Sequence, residues 1–446
     1  MLSCSPARGL TTRFTPRSSP GPTTTHRCRY RSDNRLAASG TTWRLGGVGI
    51  AIRTPTADDF TEIAALDGAS FGVHYSEQDL ADALSIIDPV RFLVATDADR
   101  IVGVAGDYPF TMTVPGGALD VAGVTWVSVD PTYRRRGILR HLMHRQLQNF
   151  VDTAVPAAVL TASEGGIYPR FGYGAASQVA KTVVDRRRAV LATPGDPGGV
   201  TRVSTARARE LVPAIHERWR AQTPGALSRS PAWWDRLSLD REYERDGMTA
   251  LFHLVHADGY VSYRVKKDWN DGDPRHVCWL VDYVAVTAQA HAALWRVLLG
   301  LDLFGSIESY RIPADDPLPY LLTDARQVRT TAPSDGLWLR PLDVTAMLSA
   351  RRYALEVETV IGVADELFGE HRYLLRGGPD GATCVRSERI PDLRLGVAAL
   401  GSVYLGGVRL ETLARAGQAD ADDRAHVARL DRALLADRVP VHGTGF

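Results

Sequence analysis

The sequence lacks any apolar run that approaches the roughly 20 residues needed to cross a bilayer as a helix, so we expect no membrane span. It also has few cysteines. The four thiols are scattered and show neither the spacing of a metal site nor that of a disulfide framework. This scarcity predicts no metal cofactor and a reducing, cytoplasmic location. The cysteines are Cys4, Cys28, Cys278 and Cys384.

An excess of charge of either sign is missing as well. The 52 basic and 51 acidic residues leave a formal net charge of +1, which implies no broad basic surface for nucleic acid. The apolar fraction of 45% and the charged fraction of 23% are typical of globular proteins. A chain of 446 residues is too long for one core and suggests about three domains.

Residues 1–48 have almost no acidic side chains and no apolar period that could pack. They hold eight arginines against a single acid, Asp33, and are rich in Ser, Thr, Pro and Gly. We predict a disordered, dispensable extension. An organellar transit peptide fits the same composition, whereas a secretory signal would need an apolar segment that is missing here.

The stretch from Val124 to Arg140 reads as a strand, a tight turn and a helix start. Bulky and β-branched residues favour a half-buried strand as far as Val129, and apolar residues at helical spacing follow Gly137. Three consecutive arginines, residues 134–136, lie between them. Because a helix N-terminus offers unpaired backbone N–H groups, this pattern predicts a phosphate site. A βα turn with solvated arginines and a nucleic-acid patch are the alternatives.

The same stretch carries a family motif. Val127-x-Val129-x-Pro131-x-x-Arg134-x-x-Gly137 resembles the acetyl-coenzyme A motif of GCN5-related N-acetyltransferases (GNAT). The resemblance implies that the strand splays, that its backbone holds the pantetheine arm, and that the turn holds the pyrophosphate. It departs from many members, which have Gly or Ala where this chain has a leucine. The implied coenzyme-binding residues are Val127, Ser128, Val129, Arg135, Arg136, Gly137, Ile138, Leu139 and Arg140.

A second motif follows the predicted strand Ala157–Ala162. Residues 162–174, Ala-Ser-Glu-Gly-Gly-Ile-Tyr-Pro-Arg-Phe-Gly-Tyr-Gly, resemble the signature loop of the enhanced intracellular survival (Eis) family of N-acetyltransferases. Further matches follow in collinear order, so the resemblance covers about residues 50–446.

The Eis resemblance implies roles for four residues. Tyr168 is the general acid for the departing thiolate, and the terminal carboxylate of Phe446 is the general base. Ser163 hydrogen-bonds the coenzyme, and Glu164 beside it is a second contact or a helix cap. The alternatives are a core aromatic for Tyr168, like Tyr173 in the same loop, and a frayed tail for Phe446.

Two acidic residues of well-known family members are missing. Those members acetylate aminoglycosides in a wide acidic pocket, but Gly445 stands where they have a glutamate before the terminal Phe. Ser70-Phe71 is followed by Gly72-Val73-His74, without the expected aspartate. Losing two carboxylates weakens the attraction for polycations. The acceptor class therefore stays open between an aminoglycoside-like amine and a lysine side chain.

The predicted fold class is α/β (α+β), with tandem GNAT folds followed by a sterol-carrier-protein-like domain. Val281–Val286 mirrors Val124–Val129, and a predicted helix, Ala288–Leu299, follows it without the arginines. Two unrelated strand–helix units are the alternative. The predicted domains are the acetyl-CoA-binding GNAT domain 49–190, a degenerate GNAT-like domain 191–338 and the sterol-carrier-like domain 339–446.

These features predict an acetyl-CoA-dependent N-acetyltransferase that acts on a small-molecule or lysine amine. We expect no metal, no nucleic-acid partner and, by family resemblance, a homohexamer. One alternative is a non-catalytic acyl-CoA or lipid binder that uses the third domain as a carrier. Another is a nucleic-acid or regulatory module that uses the arginine-rich segments.

Overall fold

The computed structural model describes residues 42–45, 48–193, 195 and 198–446, which form three structural units. The first unit is a sheet with the strand order β1-β2-β3-β4-β5-β6-β17-β7, flanked by helices. Its elements are β1 (Thr42–Leu45), β2 (Val48–Arg53), α1 (Phe60–Phe71), α2 (Glu77–Leu84), β3 (Phe92–Asp97), β4 (Arg100–Val114), β5 (Gly117–Val129), α3 (Ile138–Asp152), β6 (Ala157–Thr161), β7 (Gly174–Ala175) and the late strand β17 (Leu337–Pro341).

Helices cover both faces of the first sheet. Phe60 of α1 packs in the same buried cluster as Val104 of β4, whereas Ile138 and Leu142 of α3 pack with the next residue of that strand, Ala105. This alternation is the two-residue period of a strand buried on both faces. Strands β5 and β6 are parallel and are joined through α3.

The first strand lies within the segment predicted to be an extension. Strand β1 pairs with β2, so the ordered fold begins before residue 49. An edge strand of this kind needs only the free hydrogen-bonding groups of its neighbour, and the composition of residues 1–48 does not reveal it. Residues 1–41 and 46–47 lie outside the described residues, so disorder of the remaining extension stays a prediction.

The second unit repeats the architecture of the first. Its sheet has the strand order β16-β8-β15-β14-β11-β10-β9. Its elements are β8 (Gln178–Asp185), β9 (Thr201–Val203), α4 (Thr205–Arg220), α5 (Pro231–Leu237), β10 (Phe252–His256), β11 (Gly259–Lys266), a separate hairpin of β12 (Trp269–Asn270) and β13 (Asp273–Pro274), β14 (His276–Ala285), α6 (Ala288–Leu299), β15 (Phe304–Ser309), α7 (Leu318–Leu321) and β16 (Val328–Asp335).

The two sheets share a continuous antiparallel ribbon. Strand β7 pairs with β17 in the first sheet, and the chain then continues into β8, which pairs with β16 in the second. The predicted limits at residues 190 and 338 therefore do not separate the sheets. Residues 178–185 belong to the second sheet, and residues 337–341 belong to the first.

The third unit is a five-stranded sheet covered by helices, with the strand order β20-β19-β18-β21-β22. Its core is continuous with that of the first unit. Its elements are α8 (Val344–Ala350), β18 (Val357–Asp365), β19 (Gly369–Gly378), β20 (Gly381–Arg386), β21 (Leu393–Gly396), α9 (Val397–Tyr404), α10 (Leu410–Arg415), β22 (Ala419–Asp420) and α11 (Arg424–Leu434).

Two helices of the third unit end at definite breaks. Helix α8 ends at Ala350, and the buried guanidinium of the next residue, Arg351, donates to the carbonyl oxygens of Tyr404 and Leu434. Residues 405–409 separate α9 from α10. Two of the residues between them are glycines, and Gly406 adopts a φ of +81°.

The helix Ala288–Leu299 of the second unit has the predicted limits. Within the part of the chain that the structure describes, no helix combines the length and the apolar character that a bilayer crossing requires.

Candidate active site

Strand β5 contains a bulge at the place where the motif predicts a splayed strand. Its pairing with β4 shifts between Thr125 and Ser128, so Trp126 and Val127 both stand opposite Ala105. Trp126 has a φ of +53°, in the left-handed region that such side chains rarely adopt. A bulge of this kind bends the strand and re-aims its backbone groups.

The bulged strand also separates from its parallel neighbour. The pairing of β5 with β6 ends at Gly123 and Val159, while β6 continues to Thr161 against β17. Residues 124–129 therefore border an opening between the two strands, where backbone N–H and C=O groups can meet a ligand. The residues predicted to hold pantetheine, Val127, Ser128 and Val129, lie along this opening.

The hydroxyl of Ser128 is engaged on the side of helix α1. It donates a hydrogen bond to the carboxylate of Asp67, which also accepts one from the hydroxyl of Tyr75 at 2.8 Å. Ser128 and Asp67 are both buried. A ligand in the opening would therefore meet the backbone of Ser128 and not its hydroxyl.

The arginine turn follows β5 and leads directly into α3. Arg135 and Gly137 adopt φ angles of +62° and +81°, which turn the chain sharply. Gly137 occupies the N-cap position and has no side chain to bond the N–H groups of the first helical turn. The side chains of Arg135, Arg136 and Arg140 are exposed around this helix start. The arrangement is suited to an anion.

The remaining residues predicted to contact the coenzyme differ in how exposed their side chains are. Ile138 is buried in the core and Leu139 is half-buried, so each could assist an anion only through its backbone N–H group. Ser163 and Glu164 are exposed just after β6. The carbonyl of Glu164 accepts a hydrogen bond from the N–H of Ile167 at 3.2 Å, which makes a turn rather than a long helix.

Tyr168 lies in the loop after β6 and is only 9% exposed. Its carbonyl oxygen accepts hydrogen bonds from the N–H groups of Phe171 and Tyr173 at 3.0 and 3.3 Å, which fold the loop back on itself. Its side chain belongs to the same buried cluster as Val124 of β5. Burial raises the pKa of Tyr168 to about 12, and the nearby charge of Glu164 adds to this. The phenol is therefore protonated at neutral pH.

Tyr173 packs against Tyr168, with ring centroids 5.9 Å apart. It is completely buried, and its hydroxyl has no hydrogen-bond partner among the described residues. Burial raises the pKa of Tyr173 far above its ordinary value. Tyr173 thus acts as a core aromatic that supports the loop.

The last residues of the chain run along the second unit and end on the first sheet. The N–H of Val441 donates to the carbonyl of Pro224 at 2.9 Å, and the N–H of Leu227 donates to the carbonyl of His442 at 3.1 Å. The ring of the terminal residue, Phe446, is half-buried. The tail is therefore held by backbone hydrogen bonds shortly before it ends.

Phe446 sits at the narrow end of the opening in the first sheet. Its ring centroid lies 5.1 Å from that of Phe110 on β4. A Cβ atom on Gly123 of β5 would lie 2.4 Å from the ring of Phe110 and 3.1 Å from the ring of Phe446, so glycine makes room for both rings. Gly123 is also the last residue of β5 that pairs with β6.

Aromatic rings from two units pack around Phe110, against which Phe446 rests. Trp233, on α5 of the second unit, lies 5.0 Å from Phe110 and 5.4 Å from Tyr108 between ring centroids. The indole N–H of Trp126 donates to the hydroxyl of Tyr108 at 3.2 Å. Nothing local in the sequence of α5 marks Trp233 as a neighbour of β4.

The site thus combines an anion seat, an opened strand, a protonated phenol and a chain terminus. These groups suit the transfer of an acyl group from a phosphate-bearing thioester. In the described ranges, no group of three or more His, Cys, Asp or Glu side chains could hold a metal ion.

Family models match three successive parts of the chain. Acetyltransferase (GNAT) domains match residues 51–176 and 225–340, and a sterol carrier protein domain matches residues 344–443. The predicted fold class, tandem GNAT folds followed by a sterol-carrier-like domain, is confirmed.

Curated relatives extend this likeness over most of the chain. The N-acetyltransferase Eis of Mycobacterium tuberculosis is 38% identical over 405 residues, which cover 88% of this chain and 98% of the relative. An uncharacterized N-acetyltransferase of Streptomyces avermitilis is 39% identical over 358 residues, which cover 77% of this chain and 85% of the relative.

Solved structures show the same likeness. Eis1 from Mycobacterium abscessus superposes with a TM-score of 0.80 at 33% identity, covering 89% of this chain and 100% of that one. A GCN5-related N-acetyltransferase from Anabaena variabilis gives a TM-score of 0.77 with the same coverage, and its 19% identity shows the shared fold alone. The chain belongs to the Eis family of GNAT N-acetyltransferases.

Proposed function

We propose that this N-acetyltransferase moves the acetyl group of acetyl-CoA to a primary amine, carried by an aminoglycoside-like small molecule or by a lysine side chain. The observation that carries the proposal is the seat of the chain terminus. Phe446 packs on Phe110 and over Gly123, beside the opening of β5. A terminal carboxylate beside that opening supports a general base supplied by the end of the chain.

The proposed coenzyme site extends from the start of α3 into the opening. The pyrophosphate meets the backbone N–H groups of residues 137–140 and the exposed side chains of the turn. The pantetheine arm follows the backbone of residues 127–129. Ser163 and Glu164, at the end of β6, border the other side. The charged contacts are Arg135, Arg136 and Arg140.

The proposed reaction is a direct transfer. The ammonium form of the acceptor loses a proton to solvent or to the carboxylate of Phe446, and the neutral amine attacks the thioester carbonyl. A C–N bond forms, and backbone N–H groups at the bulge stabilise the oxyanion. The C–S bond then breaks, and the sulfur accepts the proton of Tyr168. The amine nitrogen releases its second proton, which restores the phenol of Tyr168, so the products are an amide and the free thiol of CoA.

The surroundings of Tyr168 keep its phenol protonated. Burial raises the pKa of Tyr168 to about 12, so the phenol carries its proton before each turnover and is a weaker acid than a free tyrosine. The ring of Phe110 packs against Phe446, and the ring of Trp233 packs against Phe110, so apolar surface lies beside the chain terminus and favours the neutral form of the amine.

A non-catalytic lipid carrier is the less favoured alternative. Arg351 is buried inside the third unit, with its guanidinium 4.8 Å from the ring centroid of Tyr353 and 5.7 Å from that of Tyr404. A buried cation is an unfavourable neighbour for a lipid chain. The homohexamer and the cytoplasmic location stay predictions.

The test is release of free thiol from acetyl-CoA with aminoglycosides, polyamines and lysine-containing peptides as acceptors. Intact protein, Tyr168→Phe and a chain without Phe446 are compared. We expect turnover with at least one amine and its collapse in both variants. Coenzyme binding without acetylation of any acceptor, or full rates in the variants, would overturn the catalytic assignment.

A further inference from the structure

The second GNAT fold keeps the bulge and the opening of the first. The pairing of β14 with β11 shifts between Leu280 and Asp282, so Val281 is the extra residue. The parallel pairing of β14 with β15 ends at Trp279 and Glu308. Residues 280–285 therefore border an opening that corresponds to the proposed pantetheine site of the first fold.

A charged network lies beside this second opening, on the side of helix α4. The carboxylate of Asp282 accepts hydrogen bonds from Arg229 at 2.6 and 3.3 Å and from the hydroxyl of Tyr260 at 2.8 Å. Burial alone would raise the pKa of Asp282, but the guanidinium of Arg229 outweighs it and lowers the pKa. Arg229 is therefore held as one half of a buried ion pair.

The cations of this network bind the C-terminal tail. Arg229 donates from Nη2 to the carbonyl of Gly443 at 2.8 Å and from Nε to the hydroxyl of Thr444 at 3.1 Å. Arg311 donates to the same carbonyl at 3.3 Å. Burial lowers the pKa of Arg311, and Asp282 partly offsets this shift. Two guanidinium groups thus converge on one peptide oxygen, three residues before the chain ends.

The backbone conformation and small side chains of the C-terminal tail fit this position. Gly443 adopts a φ of +68°, which favours glycine, and a Cβ atom there would lie 2.7 Å from the ring of Trp219 on α4. Thr444 is 1% exposed, and its hydroxyl donates to the carbonyl of Leu227 at 3.4 Å. These contacts lie in the second unit, whereas Phe446 rests on the first.

We propose that the opening of the second GNAT fold is the docking site of the C-terminal tail, and that Arg229 and Arg311 are positioning residues that set the place of the Phe446 carboxylate. This inference rests on the proposed function, because it gives the second fold a part in placing the base. The coenzyme opening of one fold is matched by a peptide-binding opening in the other.

The first test measures the tail directly and needs no assumption about catalysis. Carboxypeptidase A releases a C-terminal aromatic residue once that residue leaves its seat, so the release of Phe446 reports undocking. We expect Arg311→Met to speed the release about tenfold, because a hydrogen bond from a charged group is lost. The matched control is Arg326→Met, an exposed arginine of the same unit. Equal release from the intact protein, Arg311→Met and Arg326→Met would overturn the proposal.

The second test separates positioning from general stability. In Arg311→Met we expect kcat to fall by about 100-fold, as for a displaced catalytic group, with the KM for acetyl-CoA within about twofold of the intact protein. The pH profile of kcat should approach that of the chain lacking Phe446. Loss of Arg229 alone would leave the buried carboxylate of Asp282 without its ion-pair partner. The double variant Arg229→Met/Asp282→Leu therefore removes both partners, and we expect it to behave like Arg311→Met.

The outcomes distinguish the two proposals. If the chain without Phe446 keeps its full rate, the proposed base is wrong, whatever the tail does. If that chain is inactive while Arg311→Met and the double variant keep their kcat and their slow release of Phe446, only the docking site is wrong.

Discussion

The two GNAT folds of this chain keep a similar bulged strand but begin the next helix differently. Eight residues, 130–137, connect β5 to α3 and carry the arginines, whereas two residues connect β14 to α6. Gly137 has no side chain to bond the first turn of α3. In the second fold the hydroxyl of Thr287 accepts the N–H of Ala290 at 3.2 Å, which caps α6 from within the chain.

An acidic side chain also lies near the start of α6. His291, in the second turn of that helix, is hydrogen-bonded to Asp316 at 2.9 Å. The same carboxylate accepts the N–H of Leu318, whose side chain is buried in the core of the second unit. A carboxylate would repel the phosphates of a coenzyme. We infer that a bulged strand alone does not define a coenzyme site, and that the residues at the helix start determine which ligand binds.

The largest expected effect is on kcat, and it distinguishes the loop that follows β6 from the segment that follows β15. Replacing Tyr168 by Phe removes the proposed acid of the first fold, and we expect kcat to fall by about 100-fold or more. Tyr320, an exposed tyrosine after β15, is the matched control, and Tyr320→Phe should leave kcat unchanged. Thiol release at saturating acetyl-CoA measures both variants. Similar losses in the two variants would remove the functional distinction between the folds.

Low pH should reduce the stability of the second fold where it holds the C-terminal tail. Burial and the cations Arg311 and Arg229 lower the pKa of His442 to about 3. Because the unfolded chain binds this proton near pH 6.5, the contribution of His442 to stability is complete above pH 6.5 and is lost as pH falls toward 3. We expect a loss of about 2 kcal/mol at pH 5.

The first fold should respond to acid in the opposite sense. Burial raises the pKa of Asp107 to about 6, despite the ion pair with Arg91, so its contribution to stability increases as pH falls below 6. Denaturant unfolding of intact protein and His442→Asn at pH 7.5 and pH 5 isolates the histidine. A stability difference between the two chains that does not change with pH would contradict this prediction.

The smallest expected effect is on the KM for acetyl-CoA, and it compares the starts of α3 and α6. The double variant Arg135→Met/Arg136→Met should raise the KM for acetyl-CoA about tenfold and leave kcat unchanged, because each arginine offers a charge-assisted contact to phosphate. Calorimetric titration of the intact protein should find one acetyl-CoA per chain. Arg326→Met is the control for charge alone. A stoichiometry of two would mean that the second opening still accepts coenzyme.

Features encoded in contiguous residues were predictable from the sequence. The strand, turn and helix of residues 124–140 and the glycine loop of residues 162–174 carry their motifs without a gap, and the structure forms an opened strand, a helix start and a buried Tyr168 there. The repeat at Val281–Val286 also predicted the second fold, because strand and helix periods are local properties.

Contacts between distant residues were not predictable in this way. Arg229 bonds Thr444 across 215 residues, and nothing near either residue distinguishes it from a surface arginine or a tail threonine. Trp233 reaches Phe110 of the first sheet from a helix of the second unit. The ribbon that joins the two sheets crosses the predicted domain limits at residues 190 and 338. It forms between strands that are far apart in the sequence.

That ribbon also has a consequence for the newly made chain. Leu337 bonds Ser177 across 160 residues, and β17 lies between β6 and β7, so a ribosome must finish residue 341 before the first sheet can close. Until then, β6 and β7 remain exposed strand edges on the nascent polypeptide, which are prone to aggregate. The two GNAT folds should therefore mature together and slowly, and neither should survive excision at the limits that the sequence suggests.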